Sequence, residues 1–171
     1  IAPRKVWAAA STHHGEDPFI AHMHEIVTRA HPGALLLLAP RHPERAPVIM
    51  ATLIEAGFNC AQRSKGEAIT AQTQIYVFDT LGEMGLVYRL APVSVICGSL
   101  APHLSGHNPL EPARLGSAII SGSAVSSFAD IEMYVATHPG IPLTFVVKRM
   151  GQIEKLRVVP RAVKIKDSFG D

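Results

Sequence analysis

Cysteine is scarce: the 171 residues hold only Cys60 and Cys97. Each stands in an apolar context, so both read as buried thiols rather than a disulfide, which points to a reducing compartment. Charge of one sign is lacking too. Lys and Arg total 16 against 14 Asp and Glu, a net +2, with the basic residues scattered. That balance marks no nucleic-acid partner. No apolar run approaches the ~20 residues that span a bilayer. No signal peptide is visible. The chain opens on Ile1 rather than Met, which reads as an excised piece of something longer.

Several chemistries lack their motifs. The 9 histidines suggest a metal. Yet "HEIVT" puts Thr28 where H-E-x-x-H needs its second histidine, His22 and His24 diverge on a helix, and no Cys-x-x-Cys exists. No Gly-Lys-Ser/Thr follows Gly15, so "STHHGED" is not a Walker loop. "SGSAVSS" is a poor substitute for the G-x-S-x-G elbow of a hydrolase. There is no internal repeat and no low-complexity segment.

At 47% hydrophobic and 18% charged, the chain suits one globular domain with a sizeable core and a small appendage. "KVWAAAS" reads as a strand, "DPFIAHMHEIVTRAH" as an amphipathic helix, and "ALLLLAP" as a strand buried on both faces. "HPERAPVIMATLIEAG" reads as one helix closed by Gly57. "NCAQRS" and "TQIYVFD" read as strands, "LGEMGLVYRLA" as a short helix, and "VSVICGS" as a strand. "PLEPARLG" reads as a helix with Pro109 in its first turn and Gly116 at its end, and "SAIISG" as a further strand. Strands alternating with helices predict an α/β domain, a parallel sheet covered on both faces. The pattern then changes. "FADIEMYVATHPG" reads as a helix, and "PLTFVVKR" and "IEKLRVVPR" as a hairpin turning at Gly151. A boundary is expected between Ser126 and Ile131, giving units 1–130 and 131–171.

Ligands of an open α/β sheet bind beyond the C-terminal strand ends, and the polar Gly- and Pro-rich clusters fall there. In "STHHGED", Ser11 or Thr12 caps a helix with Glu16 and Asp17 at its start, or the loop faces a phosphate or sugar. In "PRHPER", Arg41 offers a fork for carboxylate or phosphate, or is a solvated helix-start residue. Glu44 and Arg45 read as helix surface. In "DTLGEMG", Gly82 and Glu83 begin a helix capped by Asp79 or Thr80, or meet a base or ribose. In "SGHNPLEP", Gly106 permits close approach, Asn108 caps the next helix, and the exposed amides favour an anion. Glu111 complements the helix dipole or accepts a pair of ligand hydroxyls.

Four stretches carry a resemblance: "VWAAASTHHGED", "LLLLAPRHPER", "RSKGEAITAQTQIYVFDTLGEMGLVYRLAPVSVICGSL" and "GHNPLEPARLGSAIISG". In this order and spacing, from about Arg4 to Ile131, the chain resembles the C-terminal half of the bacterial Kdo transferases. Those enzymes move 3-deoxy-D-manno-octulosonic acid from CMP-Kdo to lipid A precursor in lipopolysaccharide synthesis. The resemblance implies a Rossmann-like, donor-binding half of a two-domain GT-B glycosyltransferase. Its CMP contacts would be Pro40 and Arg41; Leu81, Gly82 and Glu83; and Asn108, Pro109, Leu110 and Glu111, with Ser11, Thr12 and His13 in the donor site. It implies no metal or other cofactor, and a place at the cytoplasmic face of the inner membrane. It also implies a glutamate base in the N-terminal half, which this sequence does not include, so no catalytic residue is assigned and turnover by this chain is not expected. Two places depart from the family: Leu104 and Ser105 intrude before His107, and Ser123 and Ala124 replace a Pro-His pair.

The tail, "HPGIPLTFVVKRMGQIEKLRVVPRAVKIKDSFGD", resembles the later part of a PDZ domain from a site-2 zinc protease, which implies a fused or recombined segment. Two other functions stay open. One is a non-catalytic α/β scaffold whose tail pairs with a peptide or partner strand. The other is a complete hydrolase-like or epimerase-like enzyme, for which UDP would be preferred over CMP.

Overall fold

The computed structural model describes residues 4–100, 107–121, 143–149 and 152–159. The chain divides into two compact units, residues 1–126 and 127–171. In the first, the elements run β1 (Val6–Thr12), α1 (Glu16–Ala30), β2 (Leu35–Pro40), α2 (Ala46–Glu55), β3 (Cys60–Gln62), β4 (Ile75–Val77), α3 (Met84–Leu90), β5 (Val93–Ile96), α4 (Leu110–Arg114) and β6 (Ala118–Ser121). In the second, β7 (Leu143–Arg149) pairs antiparallel with β8 (Gln152–Val158), Leu143 opposite Val158.

The six strands of the first unit form one parallel sheet in the order β3-β4-β2-β1-β5-β6. The two central strands are the two most apolar stretches of the sequence. Leu35 to Leu38 and Ala8 to Ala10 have no solvent exposure, because helices cover both faces. Alternation divides their side chains between two cores. Trp7, Ala9, Leu36 and Leu38 pack with Ile20 of α1 and with Ile49 and Leu53 of α2. Ala8, Leu35 and Leu37 pack with Val87 of α3. Each buried leucine contributes about 2 kcal/mol of transfer free energy, so the sheet centre is rigid and its C-terminal edge is well fixed.

The order gives the sheet a switch point. From β1 the chain moves outward through β2 to the edge strand β3, fills the gap with β4, then returns to place β5 on the other side of β1. A crevice therefore opens where the loops after β1 and β5 part, the usual ligand position of such sheets.

Several expectations are corrected. "HPERAPVIMATLIEAG" is two elements, a 3-10 turn at Pro43–Arg45 and then α2. Pro47 has no amide to donate to the Pro43 carbonyl, so no continuous α-helix can cross that point. Cys97 is buried but Cys60 is only half-buried; both are free thiols. The expected helix at 128–140, the turn at Gly151, and the departures at Leu104, Ser105, Ser123 and Ala124 lie outside the described residues. Among the described residues, no helix is long and apolar enough to cross a membrane.

Candidate functional site

At the end of β1 the strand register slips between Ala10 and Thr12, and Ser11 takes a left-handed φ of 60°. Such a conformation is costly for a residue with a side chain. The kink carries the chain from Thr12, which is fully buried, to the half-buried His13 at the switch point. Neither Ser11 nor Thr12 caps α1. The N-cap is Gly15, at φ 89°, with no side-chain cap, and the Thr12 hydroxyl is buried without a hydrogen-bond partner.

The expected first-turn carboxylate Glu16 is buried and works across the crevice. It accepts the His13 amide at 2.8 Å and the Gly98 amide at 2.8 and 2.9 Å, with Leu100 N–H at 3.4 Å. One carboxylate thus ties the end of β1, the start of α1 and the loop after β5. The Gly98 amide is consequently satisfied from within the protein.

Above this tie lie two imidazoles. His13 and His107 lie nearly coplanar and edge to edge, with ring centroids 5.0 Å apart, planes 8° apart and their Nε2 atoms 2.7 Å apart. Gly98 makes room for them. A Cβ there would sit 2.8 Å from the His107 ring and 3.3 Å from the His13 ring. Burial lowers the His13 pKa below its ordinary value; Glu16 opposes this, and His42, Arg41 and Arg45 add to it. Burial also lowers that of His107, reinforced by His13 and Arg41 and opposed by Glu16.

At the end of β2, Pro40 is buried and Arg41 is exposed. The Arg41 amide donates to the Thr12 carbonyl at 3.0 Å, which fixes its backbone beside the crevice. The expectation for Arg45 is overturned. It is not helix surface but pairs with the buried Asp17 carboxylate and donates to the Thr12 carbonyl at 2.9 Å. The guanidinium offsets the cost of burying the Asp17 carboxylate. Glu44 is exposed and faces His42.

At the end of β4, Leu81 is 82% exposed and Gly82 turns the chain at φ 79°. Glu83 is the N-cap of α3 but gives no side-chain cap. Its carboxylate receives Arg63 Nε at 3.0 Å, Arg63 Nη2 at 2.6 Å, and the Thr80 hydroxyl. The Arg63 hydrogen bond, then that of Thr80, lowers the Glu83 pKa to about 2. Asp79 does not cap the helix either. It accepts from Gln62 Nε2 at 2.6 Å and from the Ser64 amide at 2.9 Å.

After β5, Asn108 Oδ1 accepts the Leu110 amide at 2.8 Å, the expected capping contact. Pro109 occupies the N-cap itself, one position earlier than expected, and Leu110 begins α4. Pro109 and Leu110 are half-buried, and Glu111 is exposed. The Glu111 carboxylate lies near enough to Tyr88 to add to the effect of burial in raising its phenol pKa.

The fold therefore puts every expected position on one edge of the sheet. Ser11, Thr12, His13 and Arg41 come together with His107. The Leu81–Glu83 turn stands two strands away on its own support. Arg63 and His107 were not singled out from the sequence, and Glu16 was expected only as a first-turn acid. Arg63 directly follows β3 as Arg41 follows β2, which is the one signal that could have pointed to it. A separate open pocket of about 440 Å³, lined by Ile54, Phe58, Cys60, Glu67 and Thr73, sits at the N-terminal ends of β3 and β4, off this edge. Among the described residues, no group of three His, Cys, Asp or Glu side chains is placed to hold a metal.

The fold and its crevice define a Rossmann-like α/β domain with its ligand edge at the β1–β5 switch point. No family model matches the chain. It is 42% identical over 130 residues to the probable mitochondrial 3-deoxy-D-manno-octulosonic acid transferase of Arabidopsis thaliana, covering 75% of this chain and 29% of the relative. It is 40% identical over 128 residues to the 3-deoxy-D-manno-octulosonic acid transferase of Haemophilus influenzae, covering 75% and 30%. The crystal structure of the C-terminal CMP-Kdo binding domain of WaaA from Acinetobacter baumannii superposes with a TM-score of 0.72 at 31% identity, over 78% of this chain and 69% of that domain. The chain belongs to the Kdo transferase family, as a counterpart of its C-terminal domain. It spans 29–30% of the length of these two full-length relatives. The likeness of the tail to a PDZ domain finds no support in these comparisons.

Proposed function

We propose that residues 1–130 are the CMP-Kdo-binding half of a glycosyltransferase that transfers Kdo to lipid A precursor. The observation that carries this is the gathering of Ser11–His13, Pro40–Arg41, Leu81–Glu83 and Asn108–Glu111 on the C-terminal edge of one parallel sheet, in a chain that shares the fold of a CMP-Kdo binding domain. Asn108–Glu111 and Leu81–Glu83 hold the nucleoside, with the exposed Glu111 carboxylate accepting ribose hydroxyls. Arg41, exposed and without an acidic partner among the described residues, meets the phosphate.

In the parent reaction an acceptor hydroxyl attacks the anomeric carbon while the bond to the CMP phosphate breaks. The hydroxyl proton passes to a carboxylate base outside these residues, and Arg41 stabilises the charge growing on CMP. In this reading the acceptor is bound by the other half, at the cytoplasmic face of the inner membrane.

Residues 131–171 form a separate unit with no part in donor binding. Its support is the division of the chain at residue 126 and the independent β7–β8 ladder. The PDZ likeness, and pairing of this ladder with a partner strand, belong to that unit.

Calorimetric titration with CMP and with UMP tests the reading. CMP is expected to bind and UMP to bind far more weakly. Equal binding of both, or preference for UMP, points instead to a UDP-sugar enzyme. Binding of neither by a folded chain leaves the scaffold.

A further inference from the structure

Asn108–Glu111 is a short segment with few ties to the sheet. Among the described residues, Asn108 bonds within its own turn, to Leu110. Among the described residues, the hydrogen bond that reaches from beside this segment to the end of the central strand β1 is that of His107 with His13. An Nε2–Nε2 distance of 2.7 Å is a full hydrogen bond, so one ring donates and the other accepts. Gly98, with a φ of 74° and no Cβ, leaves the space both rings occupy. Glu16 holds the His13 backbone in place beneath them.

We propose that His13 and His107 are positioning residues, an interlock that pins Asn108–Glu111 against the end of β1 in the orientation the nucleotide requires. The proposal rests on the donor-site reading above.

The interlock has a proton rule. Two neutral rings make the bond when one bears hydrogen on Nε2 and the other only on Nδ1. A first added proton leaves the bond intact, because an imidazolium donates to the remaining bare nitrogen. A second added proton removes the acceptor and sets two cationic N–H groups against each other. Among the described residues, Glu16 from α1 favours protonation of both rings and Arg41 opposes it, while His42 and Arg45 after β2 oppose protonation of His13. The pair titrates as a coupled unit, and the interlock opens only in acid.

The test measures CMP affinity from pH 5 to pH 8 for wild type, His107→Ala, His107→Gln and His13→Ala. Ratios to wild type at each pH cancel titration of CMP itself. His107→Ala is expected to weaken CMP by about tenfold at neutral pH, the scale of one hydrogen bond that orders a segment. His13→Ala should match it, with no further loss in the double variant. His107→Gln keeps a donor and acceptor without a titrating ring, so it should bind within about twofold of wild type at neutral pH and lose the decline below pH 6. Tighter wild-type binding in acid, or additive losses in the double variant, overturns the interlock. The ligand-free chain separates this from failure of the donor reading. Imidazole nitrogen NMR should show His13 and His107 titrating in two coupled steps, with the Asn108 amide shifting only at the second. Independent titration overturns the interlock whether or not CMP binds, and coupled titration without CMP binding confines the failure to the donor reading.

Discussion

Arg63 grips the Glu83 carboxylate with two hydrogen bonds, Nε to Oε2 at 3.0 Å and Nη2 to Oε1 at 2.6 Å, and its guanidinium carbon lies 5.8 Å from the centroid of the Phe78 ring. Residues after β3 thereby fix a turn after β4. Both ends of the fork are engaged, so Glu83 shapes the Leu81–Gly82 turn.

Arg63→Gln should release that turn. The Glu83 carboxyl, held at about 2 against an ordinary 4.5, should rise toward the ordinary value when followed by carboxyl-carbon NMR. A depressed carboxyl stabilises the fold above its unfolded value and loses that contribution as pH falls from 4.5 toward 2. The variant should lose this part of the acid dependence and weaken CMP by up to about fivefold, the scale of an exposed ion pair. An unchanged Glu83 titration would mean that Thr80 alone sets it.

His24 predicts a second acid response. It has no exposure and accepts Trp7 Nε1–H on Nδ1 at 3.1 Å. Burial lowers its pKa from 6.5 to about 4, partly offset by the Gln74 backbone. The unfolded chain binds the proton more readily between those values, so stability is complete above 6.5 and falls as pH drops toward 4. The span is worth at most about 3 kcal/mol. Urea unfolding of His24→Gln should show a flatter profile across this window, at the cost of lower stability at neutral pH.

Asp17 and Arg45 predict an asymmetry. Arg45→Met leaves a buried carboxylate unpaired and should destabilise by about 3–5 kcal/mol. Adding Asp17→Leu should recover most of that in denaturant unfolding. Simple additivity of the two changes would show that the pair is not coupled.

Gly98→Ala introduces a Cβ within 3 Å of the His107 ring on a backbone that side chains avoid. The conformational part alone costs about 1–2 kcal/mol, and the contact forces His107 off His13. A thermal shift of several degrees should come with loss of coupled histidine titration. A stable variant with coupling intact would show that the rings can move aside together.

The sheet was legible because burial on both faces leaves an unmistakable pattern: "LLLL" and "AAA" have no polar alternative. The ligand edge followed from topology, since polar loops at successive strand ends of a parallel sheet must share one side. Helix starts were less legible. Ser11 and Thr12 carry capping side chains, yet the strained turn moves the cap to Gly15 and frees Glu16 to bridge two strands. Arg45 looks like surface in any local window, and only the fold reveals that Asp17, 28 residues earlier, lies beneath it. His13–His107 and Arg63–Glu83 join positions 94 and 20 residues apart. No periodicity or capping rule reaches that far, so sequence reading found one partner of each pair and missed the other.

The most direct test of the donor-site account is to titrate CMP into the isotope-labelled chain and map the amide shifts. The account predicts changes concentrated at Ser11–His13, Arg41, Leu81–Glu83, His107, Asn108 and Leu110–Glu111, with Glu111→Ala abolishing them. Shifts centred instead on Phe58, Cys60 and Thr73, at the opposite end of the strands, would contradict it.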